Sequence, residues 1–595
     1  MIKEMKLTKI PVVATLSISL LLGSAPSSFV SAQSLPTNVD IAPAPAWGYF
    51  VDQYKNNTGD NKTIESNPSI GILSGFNALW KAGTSWNTGT ILNKDVLGLN
   101  ILKVYNQAKR RTASEEKQAY LDDRRNQSYS VIEGLGAYTD VYRNDAKATT
   151  TIQDVAADAT TKKYSDEGNN AGEVDSKLGN MVSLVNTLRG KYSSTNPAKT
   201  FYSYPRPFRW VNNSVVVPTL LPVQNADPTK DGGFPSGHTN AAYLSAYALA
   251  YAVPERYQEL LTRASELGNN RIVAGMHSPL DVIGGRVMAT ALSAAILSDP
   301  ENAQLKHAAY EEAHSKLLTQ KGTSADAYTN YEQNKKWFNE RLTYGFKQNK
   351  TAVTNTTVVP KGAEVLLETR LPYLSATDRR WVLATTALPA GYPVLDDPEG
   401  WGRLNLFAAA DGFAAFVHDV TVNMDASKGN FNAKDQWRND ISGSGKFTKQ
   451  GTGVLGLNGN NTYTGGTVLE QGGLIVNHKS ALGSGDVTNT AGNLKEVVSG
   501  QWYIGGNYSQ SAKAGLELNI ASTSDRFVIK QHAALSGKLT LNFTNKVVPV
   551  NGQNVISFEK RQGSFSSVEV TGVPSGKKVD IIYTTNSIQL KVTNK

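Results

Sequence analysis

Near residue 440 the chain changes its hydrophobic period, and that change limits what each half can fold into. Before it, apolar residues recur at helical spacing. Leu97, Ile101, Val104, Tyr105 and Ala108 mark one helix, and residues 113–125 (ASEEKQAYLDDRR) are strong helix formers. Similar patterns predict helices over 131–142, 171–188, 240–253, 279–297, 302–318 and 328–346, and a capped helix starting at Ser375 that carries Trp381. After it, Gly, Asn, Thr and Val dominate. Residues 451–476 (GTGVLGLNGNNTYTGGTVLEQGGLIV) alternate in short runs cut by Asn-Gly and Gly-Gly turns. A chain of 595 residues is too long for one domain. The expected architecture is multidomain: an all-α helical bundle over 33–440, including an apolar packing extension over 391–416, then an all-β region, solenoid or sandwich, over 441–595.

The first 32 residues read as an export signal. Lys3, Lys6 and Lys9 precede an apolar stretch over 10–22, and Val30-Ser31-Ala32 is a small-residue cleavage site. The expected location is secreted or cell envelope, extracellular or periplasmic. An exported chain with no cysteine has neither disulfides nor thiolate metal ligands, so its own core must hold it. The net charge of +9 is not gathered into a basic stripe with interleaved aromatics, which argues against nucleic acid as the partner. The apolar runs over 240–253 and 279–297 fall short of the ~20 residues that cross a bilayer, so no transmembrane span is expected in the mature chain.

Chemistry concentrates in three islands. Lys199 and Arg206 stand in KTFYSYPRP, Ser236, Gly237 and His238 in PSGH, and Arg271, His277 and Asp281 in RIVAGMHSPLD. Lys199, Arg206 and Arg271 are three cations suited to an oxyanion such as a phosphate dianion. Ser236 and Gly237 precede an apolar helical run, so their hydroxyl and amide can face an anion at a helix start. His277 and Asp281, four apart, would share a helical face. The carboxylate would then hold one ring nitrogen as N–H and leave the other as a lone pair, preparing a base or a nucleophile. His238 would remain as general acid. Asp281 has a second reading: Ser278-Pro279-Leu280-Asp281 is a good helix start with an acid at its third position. His307, His314, His418, His478 and His532 fall outside the islands, and no metal ligand set is expected.

The three islands resemble the type 2 phosphatidic acid phosphatase superfamily, whose marks are K-x6-RP, PSGH and SR-x5-H-x3-D. All three spacings match; Asn270 stands where the superfamily has Ser, with a modest expected effect on phosphate contacts. Without long membrane spans, the chain is most similar to the soluble bacterial acid phosphatase branch. The resemblance implies His277 as a nucleophile forming a phosphohistidine, Asp281 orienting it, and His238 as acid and later base. It implies Lys199, Arg206, Arg271, Ser236 and the Gly237 amide as the phosphate cradle, with no cofactor. Residues 451–476 also resemble the β-strand repeat of autotransporter passengers. The expected function is an exported, metal-independent acid phosphatase acting on small-molecule phosphomonoesters, with a tail that contacts the cell surface or a polymer. The alternatives are a vanadium-dependent haloperoxidase, which shares the cradle, and a surface or adhesion protein in which the β-tail is the main functional part.

Overall fold

The computed structural model describes residues 36–350 and 357–594. The expected export signal and part of the loop near 350 lie outside them. Helices form where the apolar period demands them: Lys94–Arg110, Ala113–Arg124 behind a Thr112–Glu115 capping box, and Ala376–Thr386 behind Ser375.

Other expected helices are shorter or broken. Over 131–142 a tight 3-10 stretch, Ile132–Tyr138, interrupts the chain, because Gly136 adopts φ 59°, and a helix resumes at Thr139–Asp145. Over 171–188 only Gly179–Leu188 is helical; upstream, the Glu173 amide is committed to the Ala146 carbonyl at 2.8 Å. That helix has no cap from its own N-cap side chain. Instead Glu312, from a distant helix, accepts from the Asn180 and Met181 amides at 2.8 and 3.0 Å. The region is helical in outline rather than all-α. Trp80–Lys81 pairs antiparallel with Thr90–Ile91, and Ala415–Phe416 pairs with Ser442–Gly443 across the change of texture.

Two apolar helices form the centre, Gly237–Ala252 and Pro279–Ser298. The second runs 20 residues, longer than its sequence pattern implied and enough in length and composition to cross a membrane, but its apolar stretch is wholly buried inside the protein. Gly284 and Gly285 let it approach the start of the first. A Cβ at Gly284 would stand 2.6 Å from the Phe234 ring, and one at Gly285 would stand 2.5 Å from the Ser236 carbonyl oxygen. Arg286, the charge that interrupts the run, points its Nη2 at the Gly402 carbonyl at 3.3 Å.

The C-terminal region is a β-solenoid. Two seven-stranded sheets run side by side, each strand in parallel register with the equivalent strand one coil on. Leu455, Leu474, Leu494, Leu516 and Leu539 occupy one register position in successive coils and are all buried. Asn-Gly and Gly-Gly turns let the chain change direction between those strands. The first strand of one sheet, Val420–Asn423, precedes the Gly-rich texture by about a coil, since its outward residues are ordinary polar ones.

At the first coil, Asp435 takes the register position that leucine takes afterwards. It is buried and accepts from Arg370 Nη1 at 2.7 Å and the Tyr373 hydroxyl at 2.5 Å, both from the helical region. Trp437 Nε1 donates to the same hydroxyl at 2.9 Å. The helical region thus closes the open end of the leucine stack with a satisfied ion pair. Removing one partner of such a buried pair leaves an uncompensated charge. Asp435→Ala is therefore expected to lower stability by ~3–5 kcal/mol, read as a shift of the denaturation midpoint. A change under about 1 kcal/mol would show that the pair is dispensable.

Candidate functional site

Lys199 lies on the short helix Asn196–Tyr202, and Arg206 on the turn that opens Pro207–Trp210. Lys199 Nζ donates to the Gly232 carbonyl at 2.6 Å. Burial, reinforced by the Arg206 charge, pushes this ammonium down to about 7. Arg206 is held at three points: Nε donates to Asp231 at 2.5 Å, and Nη1 donates to the Met276 carbonyl at 2.9 Å and to His277 Nε2 at 2.9 Å.

The second island opens the Gly237–Ala252 helix. Ser236 is its N-cap; the hydroxyl accepts from the Thr239 amide and hydroxyl at 3.3 and 2.9 Å, which leaves its own proton to donate. The Gly237 and His238 amides belong to the first turn and have no intrahelical acceptor. His238 is half-buried, with Nε2 3.2 Å from the Asp123 carbonyl. Burial, then the charges of Arg124, Arg206 and Lys199, push its ring down to about 3, so it is neutral.

The third island departs from the expected helical turn. Arg271 is in the last turn of Tyr257–Val273, and Gly275, at φ 71°, reverses the chain. His277 precedes the N-cap Ser278, so His277 and Asp281 do not share a helical face. They meet nonetheless, Nδ1 to Oδ2 at 3.2 Å, because the capping carboxylate leans back over the helix start. The same oxygen accepts from the Ser278 amide at 2.8 Å. Both readings of Asp281 therefore describe one atom. Arginine has only donors, so His277 Nε2 accepts from Arg206 and the neutral ring carries its proton on Nδ1. Burial and three surrounding cations keep His277 far below its ordinary range, while burial raises Asp281 to about 6.

All eight candidate residues converge. The Ser236 amide donates to the Asp281 carbonyl at 2.8 Å, joining the second and third islands. His238, Arg206 and Arg271 line one cavity of about 520 Å³. Sequence reading missed its other charged walls. Asp123 holds Arg271 Nη1 and, at 2.8 Å, Arg124 Nε; Asp231 holds Arg206 and, at 2.8 Å, Arg209. Arg271 Nε is buried without an acceptor among the described residues, a donor left over for a ligand. A signal existed for Asp122 and Asp123: two acids in the last turn of a helix oppose its dipole and need cationic partners. Asn270 faces away from the cradle. It donates to Asp122 at 2.7 Å, where Asp122 also pairs with the buried Arg263, so the departure from Ser bears on the scaffold rather than on phosphate.

Comparison with known proteins fits this geometry. Residues 180–304 match the PAP2 superfamily, and residues 447–476 match the passenger-associated-transport-repeat. The chain thus carries a PAP2 superfamily domain and an autotransporter passenger repeat. The non-specific acid phosphatase of Salmonella typhi is 42% identical over 104 residues, 17% of this chain and 40% of that protein. The Neisserial autotransporter lipoprotein NalP of Neisseria meningitidis is 40% identical over 124 residues, 20% of this chain and 11% of that protein. An extracellular serine protease of Serratia marcescens is 31% identical over 159 residues, 22% of this chain and 15% of that protein. The chain therefore spans less than half the length of each of these relatives.

The neutral His238 has a stability consequence. Its folded pKa is about 3, below its ordinary value of 6.5, so between those values the unfolded chain binds more protons. Stability should rise with pH across that window through this group. In His238→Gln the stability lost on going from pH 7 to pH 4 should be smaller than in the native protein, measured by denaturant unfolding at both pH values. An equal or larger loss would show that His238 is not held neutral.

Proposed function

We propose that the PAP2 domain of this chain is an acid phosphatase that hydrolyses phosphate monoesters through a phosphohistidine on His277. The observation that carries the reading is the state of His277: Nδ1–H faces Asp281, Nε2 is a lone pair, and three cations surround it.

Lys199, Arg206, Arg271, the Ser236 hydroxyl and the Gly237 amide hold the non-bridging oxygens. Arg206 lies on His277 Nε2; an arriving dianion draws the guanidinium onto its own oxygens and uncovers the lone pair. Nε2 then attacks phosphorus as the bond to the leaving oxygen breaks. Asp281 compensates the positive charge that develops on the ring. His238, made more basic by the bound dianion, gives its proton to the leaving oxygen. It then takes a proton from water, whose oxygen attacks phosphorus, breaks the N–P bond and frees orthophosphate. The three cations supply the charge stabilisation that a metal ion gives in other phosphatases.

The two-part build supports a location as well. Relatives of the chain include acid phosphatases, an autotransporter and an extracellular protease. The chain is a secreted or surface-displayed phosphatase, with the solenoid as the passenger-type stalk that presents it.

Phosphate release from a chromogenic monoester should survive a chelator and stop with vanadate. Its pH profile should be bell-shaped, with an optimum on the acid side of neutral. His277→Ala should abolish release and the acid-labile labelled phosphoenzyme. Asp281→Asn should slow release on the order of 10²–10⁴-fold while still binding phosphate. Substantial turnover by His277→Ala, or an alkaline optimum, would overturn the mechanism.

A further inference from the structure

A second cavity, of about 630 Å³, lies against the short Asn196–Tyr202 helix, which gives Lys199 to the cradle but turns Asn196, Thr200 and Phe201 toward this other space. Its opposite wall is the Asn- and Thr-rich loop over 56–63 (NNTGDNKT). None of the eight candidate site residues except Lys199 belongs to the elements around it, and Lys199 itself is not part of its wall. No step of the phosphatase reading uses this space.

The loop is held in shape by its own amides. Asn57 is 1% exposed, and its Nδ2 donates to the Tyr192 and Ser194 carbonyls at 2.7 and 3.0 Å, which ties the loop to the chain leading into the helix. Asn61 Nδ2 donates to the Asn56 carbonyl at 2.7 Å, and Asn67 Nδ2 to the Asn61 carbonyl at 3.2 Å. A wall fixed in this way loses little freedom when a ligand arrives. Asn57 Oδ1 has no donor among the described residues. Lys62 and Lys191 stand in the wall as exposed cations, and neither makes an ion pair among the described residues; Lys191 Nζ lies 5.2 Å from the Tyr192 ring centre. The acid of the loop, Asp60, is not part of the wall, and no other carboxylate is. Half-buried Phe201 supplies an aromatic surface.

We propose that this cavity is a binding site for an acidic saccharide, separate from the phosphate cradle. The combination of groups points to that ligand. Amide and hydroxyl side chains both donate and accept, as sugar hydroxyls do, and Asn57, Asn196 and Thr200 bring them to one space. Phe201 takes the apolar face of a sugar ring. Lys62 and Lys191 take its acid groups, and no carboxylate in the wall competes for them. A purely apolar ligand would strand the amides and both cations. The site does not depend on the phosphatase reading. It would hold the chain on an acidic glycan while the cradle, on another face of the same helix, stays open.

The test is calorimetric titration of the full chain with oligogalacturonate, with a maltooligosaccharide of the same length and with polyglutamate of matched charge. Oligogalacturonate should bind more tightly than either, and its affinity should fall as salt screens the exposed lysines. In Lys62→Gln/Lys191→Gln its affinity should drop roughly tenfold. Thr200→Trp, which fills the cavity from an exposed position, should abolish binding. All three positions are exposed, so both variants should keep the native denaturation midpoint, which is measured alongside. Absence of oligogalacturonate binding to the native chain overturns the proposal, as does binding that both folded variants retain. Equal affinity for polyglutamate would show that the lysines attract charge alone, and it sinks the saccharide site.

Discussion

Everything at the site depends on how closely two helix starts can approach. The Pro279–Ser298 helix crosses under the first turn of Gly237–Ala252 at Gly284 and Gly285, where any side chain would strike Phe234 or the Ser236 carbonyl. That contact sets His277 and Asp281 beside Ser236, Gly237 and His238, although the two islands are some forty residues apart in sequence. The helix that makes it is mostly apolar and buried along nearly its whole length, so the core that stabilises the domain also sets the positions of the site residues.

The second constraint is electrostatic. Five cations line one cavity, and burial makes Arg124 and Arg271 costly. The protein offsets the cost locally, with Asp123 and Asp231 each shared between two arginines. Sharing leaves both arginine pairs undersatisfied, which keeps the site attractive to a dianion and keeps both histidines neutral. The histidine pair then differs by its partners: His277 faces a carboxylate, while His238 faces a backbone carbonyl that accepts a hydrogen bond but carries no charge to offset a cation. In the proposed mechanism that difference separates the nucleophile from the acid.

The helical region and the solenoid are one structure at their junction. Arg370 and Tyr373 close the leucine stack at Asp435, and Gln258, in the helix that bears Arg271, donates to Asp411 at 2.9 Å. Asp411 in turn accepts from Arg438 of the first coil at 3.1 Å. A polar chain therefore runs from the solenoid to the helix that bears Arg271. It explains why the first strands lie upstream of the Gly-rich texture: the opening coil is built from residues that also pack on helices.

How much was legible in the sequence follows from the range of the interactions. The periods of 3.6 and 2, the Ser375 cap, and the three islands with their spacings depend on near neighbours or on residue type, and they could be read directly. Helix 179–188 could not be bounded, because Glu312 caps it from far along the chain. The paired carboxylates Asp123 and Asp231 were missed for the same reason, since each finds its arginines only after folding. His277 and Asp281 were expected on one face and instead meet across a helix start, the right contact by a different geometry. Solenoid or sandwich stayed open until strand pairing was known, because alternating runs with glycine turns satisfy both, and parallel register between coils is a long-range choice. The sequence by itself determined the kinds of element and the chemistry available. Tertiary structure decided which charges face one another and what protonation they hold, because desolvation and ion pairing exist only between groups that packing has brought together.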